Sequence, residues 1–106
     1  MAPMAPDTAG NHVGQRAEVC GRVAEVVHAR EIGGKPTFIN LADTHPDQPF
    51  TALIWKKDRT KWDRPPEAQY ENRAVCVTGT IRRHEKTPQI VVSSPTQIRL
   101  RQSSGD

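Results

Sequence analysis

A chain of 106 residues has room for one domain with one modest core. At 35% hydrophobic residues and a mean hydropathy of −0.68, it excludes a membrane-spanning helix, because no apolar run approaches the ~18 residues that a span requires. Net charge is +3 and the isoelectric point about 9.2; all 15 Lys and Arg fall between Arg16 and Arg101 with only 10 of the 12 acids, so this part carries +5 and points to an anionic partner, most commonly nucleic acid.

The opening MAPMAPDTAGNHVG has neither a charged n-region nor an apolar h-region. It reads as a leader, or the remnant of a longer chain, with residues 1–12 disordered, rather than as a signal peptide. Residues 15–30, QRAEVCGRVAEVVHAR, predict a long β-branched strand. Gly21 in its middle predicts a bulge or sharp bend. Gly33 and Gly34 turn the chain. TFINLAD, 37–43, is a second strand, with Thr37, Ile39 and Leu41 on one face and Phe38 and Asn40 on the other. THPDQP leads to a third, FTALIW, 50–55. Its phase has two solutions. Either Phe50, Ala52 and Ile54 point inward, which leaves Trp55 exposed and is the preferred solution, or Thr51, Leu53 and Trp55 do.

Residues 56–72 break the period. A helix of one or two turns is expected over 65–71, with Asp63 as its cap and proline in its first turn. Trp62 and Tyr70 are read as packing residues. RAVCVTGTIRRHE, 73–85, is a fourth strand; KTP closes a hairpin; QIVVSSPTQIRL, 89–100, begins a fifth and is interrupted at Pro95. Residues 101–106 form a disordered tail. Three strands, a short helix and two strands, with the first bent so that it serves two sheets, is the order of an all-β, five-stranded OB-fold Greek-key barrel over residues 13–100. The helix argues against an SH3-like barrel.

Cys20 and Cys76 do not make a disulfide framework. Free thiols in a reducing cytoplasm are expected, while pairing of the first and fourth strands would bring the two sulfurs near one another.

KPTFINLAD, FTALIWKKDRTKW, RAVCVTGTI and PQIVVSSPTQI, in this order and spacing, resemble the OB-fold nucleic-acid-binding domains of the tRNA-anticodon-binding type. The closest likeness is to a short bacterial version that stands alone or is appended to thermonuclease-like nucleases. The resemblance covers about Val13 to Leu100. In those relatives an aromatic residue on the second strand stacks on an unpaired base, and Phe38 stands at the matching position. The catalytic domains of such synthetases and nucleases have no counterpart here.

OB barrels bind unpaired strands by stacking bases on aromatic planes, at about 1–3 kcal/mol per base, and by tracking phosphates with Lys and Arg. The candidate residues are Phe38 as the stacking plate, Asn40 as a reader of a base edge and Trp55 as a second ring. Three basic clusters fall where the loops should flank that face: Arg30 and Lys35; Lys56, Lys57 and Arg59; and Arg82, Arg83 and Lys86.

Enzyme readings find little support. His12, His28, His45 and His84 show no metal-ligand spacing, and there is no C-x₂-C pair, Walker loop or G-x-G-x-x-G. The expectation is therefore a non-enzymatic module without cofactor or metal. It would bind single-stranded DNA or RNA with low sequence preference. The alternative is an OB barrel that serves as a protein-interaction or accessory module, derived from a nuclease-associated domain and using the same face for a protein partner.

Overall fold

Thirteen consecutive residues, Arg16–His28, stay extended in the computed structural model, which describes residues 2–101. This long strand is β2, following a two-residue β1 at Pro3–Met4. Then come β3 (Thr37–Leu41), β4 (Phe50–Ile54), the one-turn helices α1 (Lys56–Arg59) and α2 (Pro66–Tyr70), β5 (Ala74–Thr80), β6 (Arg82–His84), β7 (Thr87–Val91) and β8 (Ile98–Leu100).

The first half of β2, Arg16 to Arg22, runs antiparallel to β5, and the second half, Val23 to His28, runs antiparallel to β3. The register shifts between Val23 and Glu25, so one extra residue bends the strand at the changeover. The predicted bend is therefore real but lies beyond Gly21. That glycine answers a different demand: a Cβ there would lie 2.6 Å from Pro6 Cγ. β3 pairs with β4, β4 runs parallel to β7, and β7 pairs with β6. β6 continues β5 through the fully buried Ile81, and β5 returns to β2, which closes the OB barrel.

Among the described residues there are eight strands instead of the predicted five. The predicted fourth strand breaks at Ile81 into β5 and β6. The fifth breaks at Pro95, as expected, and its second half becomes β8 on the outer edge of β5. The remaining strand, β1, lies parallel to Glu18 and Val19 of β2 within the leader that was expected to be disordered. That expectation is corrected. Pro6–His12 forms a 3-10 segment with Ala9 in the core and Pro6 buried, and it packs against β2, β4 and β7. Small residues carry little hydropathy signal, yet they fit where a barrel end needs filling. Backbone and side-chain bonds hold the segment: Gly14 N–H donates to Ile81 O at 2.7 Å, and Arg83 Nη2 to Gly10 O at 3.0 Å. Of the predicted tail, Arg101 still donates its N–H to Ala74 O, and 102–106 lie outside the described residues.

The core is built from β2, β3, β4, β5 and β7, with Ile98 of β8 at its edge. Val19, Val23, Ile39, Leu41, Phe50, Ala52, Ile54, Val75, Val77 and Ile90 are fully buried, and each large aliphatic or aromatic side chain among them contributes about 1.5–3 kcal/mol. The inward set on β4 is Phe50, Ala52 and Ile54, the preferred of the two phases.

The cysteines also depart from expectation. Cys20 and Cys76 are direct cross-strand partners in the β2–β5 register, and their sulfurs are bonded at 2.07 Å. The register, not the local sequence, brings them together. The expectation of two free thiols is therefore corrected. In the connection after β4, α2 falls inside the predicted 65–71. Pro65, not Asp63, sits at its cap, and α1 was not anticipated. Trp62 Nε1 donates to the Tyr70 hydroxyl at 2.8 Å with both rings buried, the packing role expected of them.

Candidate nucleic-acid interface

Phe38 and Asn40 leave β3 on the face away from the core, but their surroundings differ from expectation. Asn40 is only 2% exposed. Its Nδ2 donates to Glu25 Oε2 at 2.8 Å, and its Oδ1 accepts from the Thr51 hydroxyl at 2.8 Å. The same Glu25 oxygen accepts the His45 backbone N–H at 2.8 Å. Both ends of the amide are thus committed, which leaves it poorly placed to read a base edge. Phe38 is half-buried and borders a cleft of about 450 Å³ between the β2–β3 loop and the β6–β7 turn. The titratable side chains lining that cleft are Glu25, Glu31 and Glu85 with His45 and His84, and among the described residues no lysine or arginine lines it. Phosphates approaching Phe38 would meet carboxylates.

Trp55 has the opposite setting. It sits at the junction of β4 and α1, in extended backbone, with its indole lying across Gly34. Gly34 adopts φ +79°, and a Cβ there would come within 2.8 Å of Trp55 Cε3, so glycine is required both by the turn and by the ring. Lys56 N–H donates to Gly34 O at 3.1 Å, fixing the loop to the start of α1. Lys35, Lys56 and Lys57 are exposed around the ring, and together with Gly34 and Thr60 they border a groove of about 750 Å³. Trp55 is half-buried, as Phe38 is, and not exposed as expected, but its indole borders the same groove as three exposed ammonium groups.

The remaining predicted cations are dispersed. Arg59 is only 17% exposed and donates Nη1 to the buried Thr37 hydroxyl at 2.7 Å while pairing with Glu67. It holds the fold together. Arg83 is tied to Gly10, and Arg30 Nε reaches His28 Nδ1 at 3.4 Å. His28 Nε2 is buried without a partner, and burial first, then the charges of Arg59 and Arg30, lower its pKa below the ordinary 6.5. Arg82 and Lys86 are exposed on the β6–β7 hairpin, outside the lining of both the groove and the cleft.

The structure therefore unites Trp55 with Lys35, Lys56 and Lys57, and separates them from Phe38 and Asn40. What sequence reasoning missed is the carboxylate ring. Glu31 adjoins Arg30, and Glu85 lies between Arg83 and Lys86, so counting charge by segment averaged them away. Only side-chain direction divides them.

Two solved structures share the architecture. A protein assigned as an aspartyl-tRNA synthetase from Leishmania major Friedlin superposes with a TM-score of 0.58 at 16% identity, over 93% of this chain and 20% of that one. This chain thus spans about a fifth of that protein's length. An OBody bound to hen egg-white lysozyme superposes with a TM-score of 0.52 at 15% identity, over 89% of this chain and 86% of that one. No protein-family model and no curated protein sequence matches the chain. At these identities the likeness establishes the fold, and the chain is an OB-type β-barrel.

Proposed function

We propose that this chain is a non-enzymatic OB module that binds single-stranded or locally unpaired nucleic acid, anchored at the Trp55 groove. The observation that carries the reading is the meeting of a half-buried, groove-lining indole with the exposed Lys35, Lys56 and Lys57. A base laid on the indole contributes about 1–3 kcal/mol, and the ammonium groups neutralise the phosphates on either side of it. Neither device discriminates strongly among bases, so sequence preference is low. The likeness to a synthetase supports RNA as the partner and agrees with the tRNA-anticodon-binding resemblance. On this reading Phe38 is at most a peripheral plate, because a strand reaching it must pass Glu25, Glu31 and Glu85.

The test is a titration of labelled single-stranded RNA, single-stranded DNA and duplex across a range of salt. Three phosphate contacts give a slope of about −2 in log affinity against log salt for a single strand. A flat salt response, or equal affinity for duplex, would remove this reading.

A further inference from the structure

The cleft beside Phe38 suits a ligand of the opposite charge. In a basic chain it gathers Glu25, Glu31 and Glu85, with no lysine or arginine in its lining among the described residues. Its apolar wall holds Phe38 with Val27 and Ile32, which at 40% and 46% exposure are two of the four large hydrophobic residues left open to water among the described residues. Three carboxylates, set beside His45 and His84 with no lysine or arginine among the described residues, make the lining rich in acceptors for a cation.

We infer that this cleft docks a basic polypeptide segment of a partner protein. A lysine or arginine of that segment sits over the Phe38 ring among the three carboxylates, and a neighbouring aliphatic residue covers Val27 and Ile32. A cation over an aromatic face is favourable in itself, and more so as water is excluded. The volume of about 450 Å³ accommodates side chains rather than a folded domain. Nucleic acid is disfavoured here by the same carboxylates. The inference is independent of the Trp55 groove, since the two sites share no lining residue.

The experiment uses the intact chain and two labelled peptides, one alternating arginine with leucine and one alternating glutamate with leucine, read by fluorescence anisotropy. The arginine peptide binds and the glutamate peptide does not. The double variant E31Q/E85Q, at two exposed positions, lowers affinity for the arginine peptide by roughly five- to tenfold. The Trp55→Ala variant leaves that affinity unchanged. Equal binding of both peptides, or indifference to E31Q/E85Q, overturns the inference. So does a gain of single-stranded RNA binding in E31Q/E85Q that competes with the peptide, because the cleft would then be a nucleic-acid site held in check by its own acids.

Discussion

Arg59 and Glu67 meet through two parallel hydrogen bonds, Nη1 to Oε1 at 3.1 Å and Nη2 to Oε2 at 3.3 Å, while the same Nη1 reaches the hydroxyl of Thr37. One side chain thereby ties α1 to α2 and to β3. Arg59→Ala leaves a buried hydroxyl without its donor and a carboxylate without its partner. We predict a loss of about 1–3 kcal/mol in urea denaturation, with single-strand affinity changing less than it does in Lys56→Ala. Equal losses of affinity in the two variants would put Arg59 back in the binding surface.

The same cluster sets an acid dependence. Burial pushes the Glu67 carboxyl up, but the hydrogen bonds and charge of Arg59 outweigh it and hold the pKa below the ordinary 4.5. A depressed folded value gives stability that is present above the unfolded value and is lost as pH falls through the folded one. His28 is also depressed, so the folded chain resists the proton that the unfolded chain accepts below about pH 6.5. Both effects weaken the fold toward acid, His28 first and Glu67 later. Denaturation midpoints measured from about pH 8 to about pH 4 should fall in two stages. His28→Gln flattens the upper stage and Glu67→Gln the lower.

Trp55→Ala should weaken single-strand binding by about 1–3 kcal/mol in a chain that circular dichroism shows to be still folded. Phe38→Ala should cost appreciably less in the same titration. The reverse order would return the stacking plate to β3 and remove the indole groove from the proposal.

Gly34→Ala places a methyl group into the indole at a backbone angle that L-residues avoid. The left-handed conformation alone costs about 1–2 kcal/mol. The ring must also move off the loop, so Trp55 emission should shift and single-strand affinity fall together. An unchanged spectrum would show that the ring does not depend on this glycine.

Removal of the Cys20–Cys76 bond, by the double serine variant or by reductant, should lower stability by about 2–4 kcal/mol, because it links positions 56 residues apart in the chain. Equal urea midpoints with and without reductant would show that the bond adds nothing in solution.

The barrel was legible from β-branched, apolar segments spaced by turn residues, although β4 is buried on both faces and left its phase open. Thr37, Ile39 and Leu41 announce their own inward face, and Pro66–Tyr70 announces its helix through proline and the broken period. Other features are set only by contacts distant in sequence. Ala9 and Pro6 look like linker until the barrel end that they fill is known. Cys20 meets Cys76 through a register that neither segment specifies alone. The candidate site suffered most. Lys35 and Glu31 share one loop, yet one borders the Trp55 groove and the other the Phe38 cleft, and only the path of the turn through Gly34 sorts them.

The division of β2 between two partners has a consequence for how the chain assembles. Its second half zips against β3 across a short loop, whereas its first half must wait for β5, which is made more than forty residues later. Contacts of such sequence separation are entropically slow to form, so we expect the β2–β3–β4 meander to nucleate and barrel closure to limit the rate. Pulsed hydrogen exchange should find the amides of Ile39 and Ala52 protected before that of Val77. The opposite order would mean that closure leads.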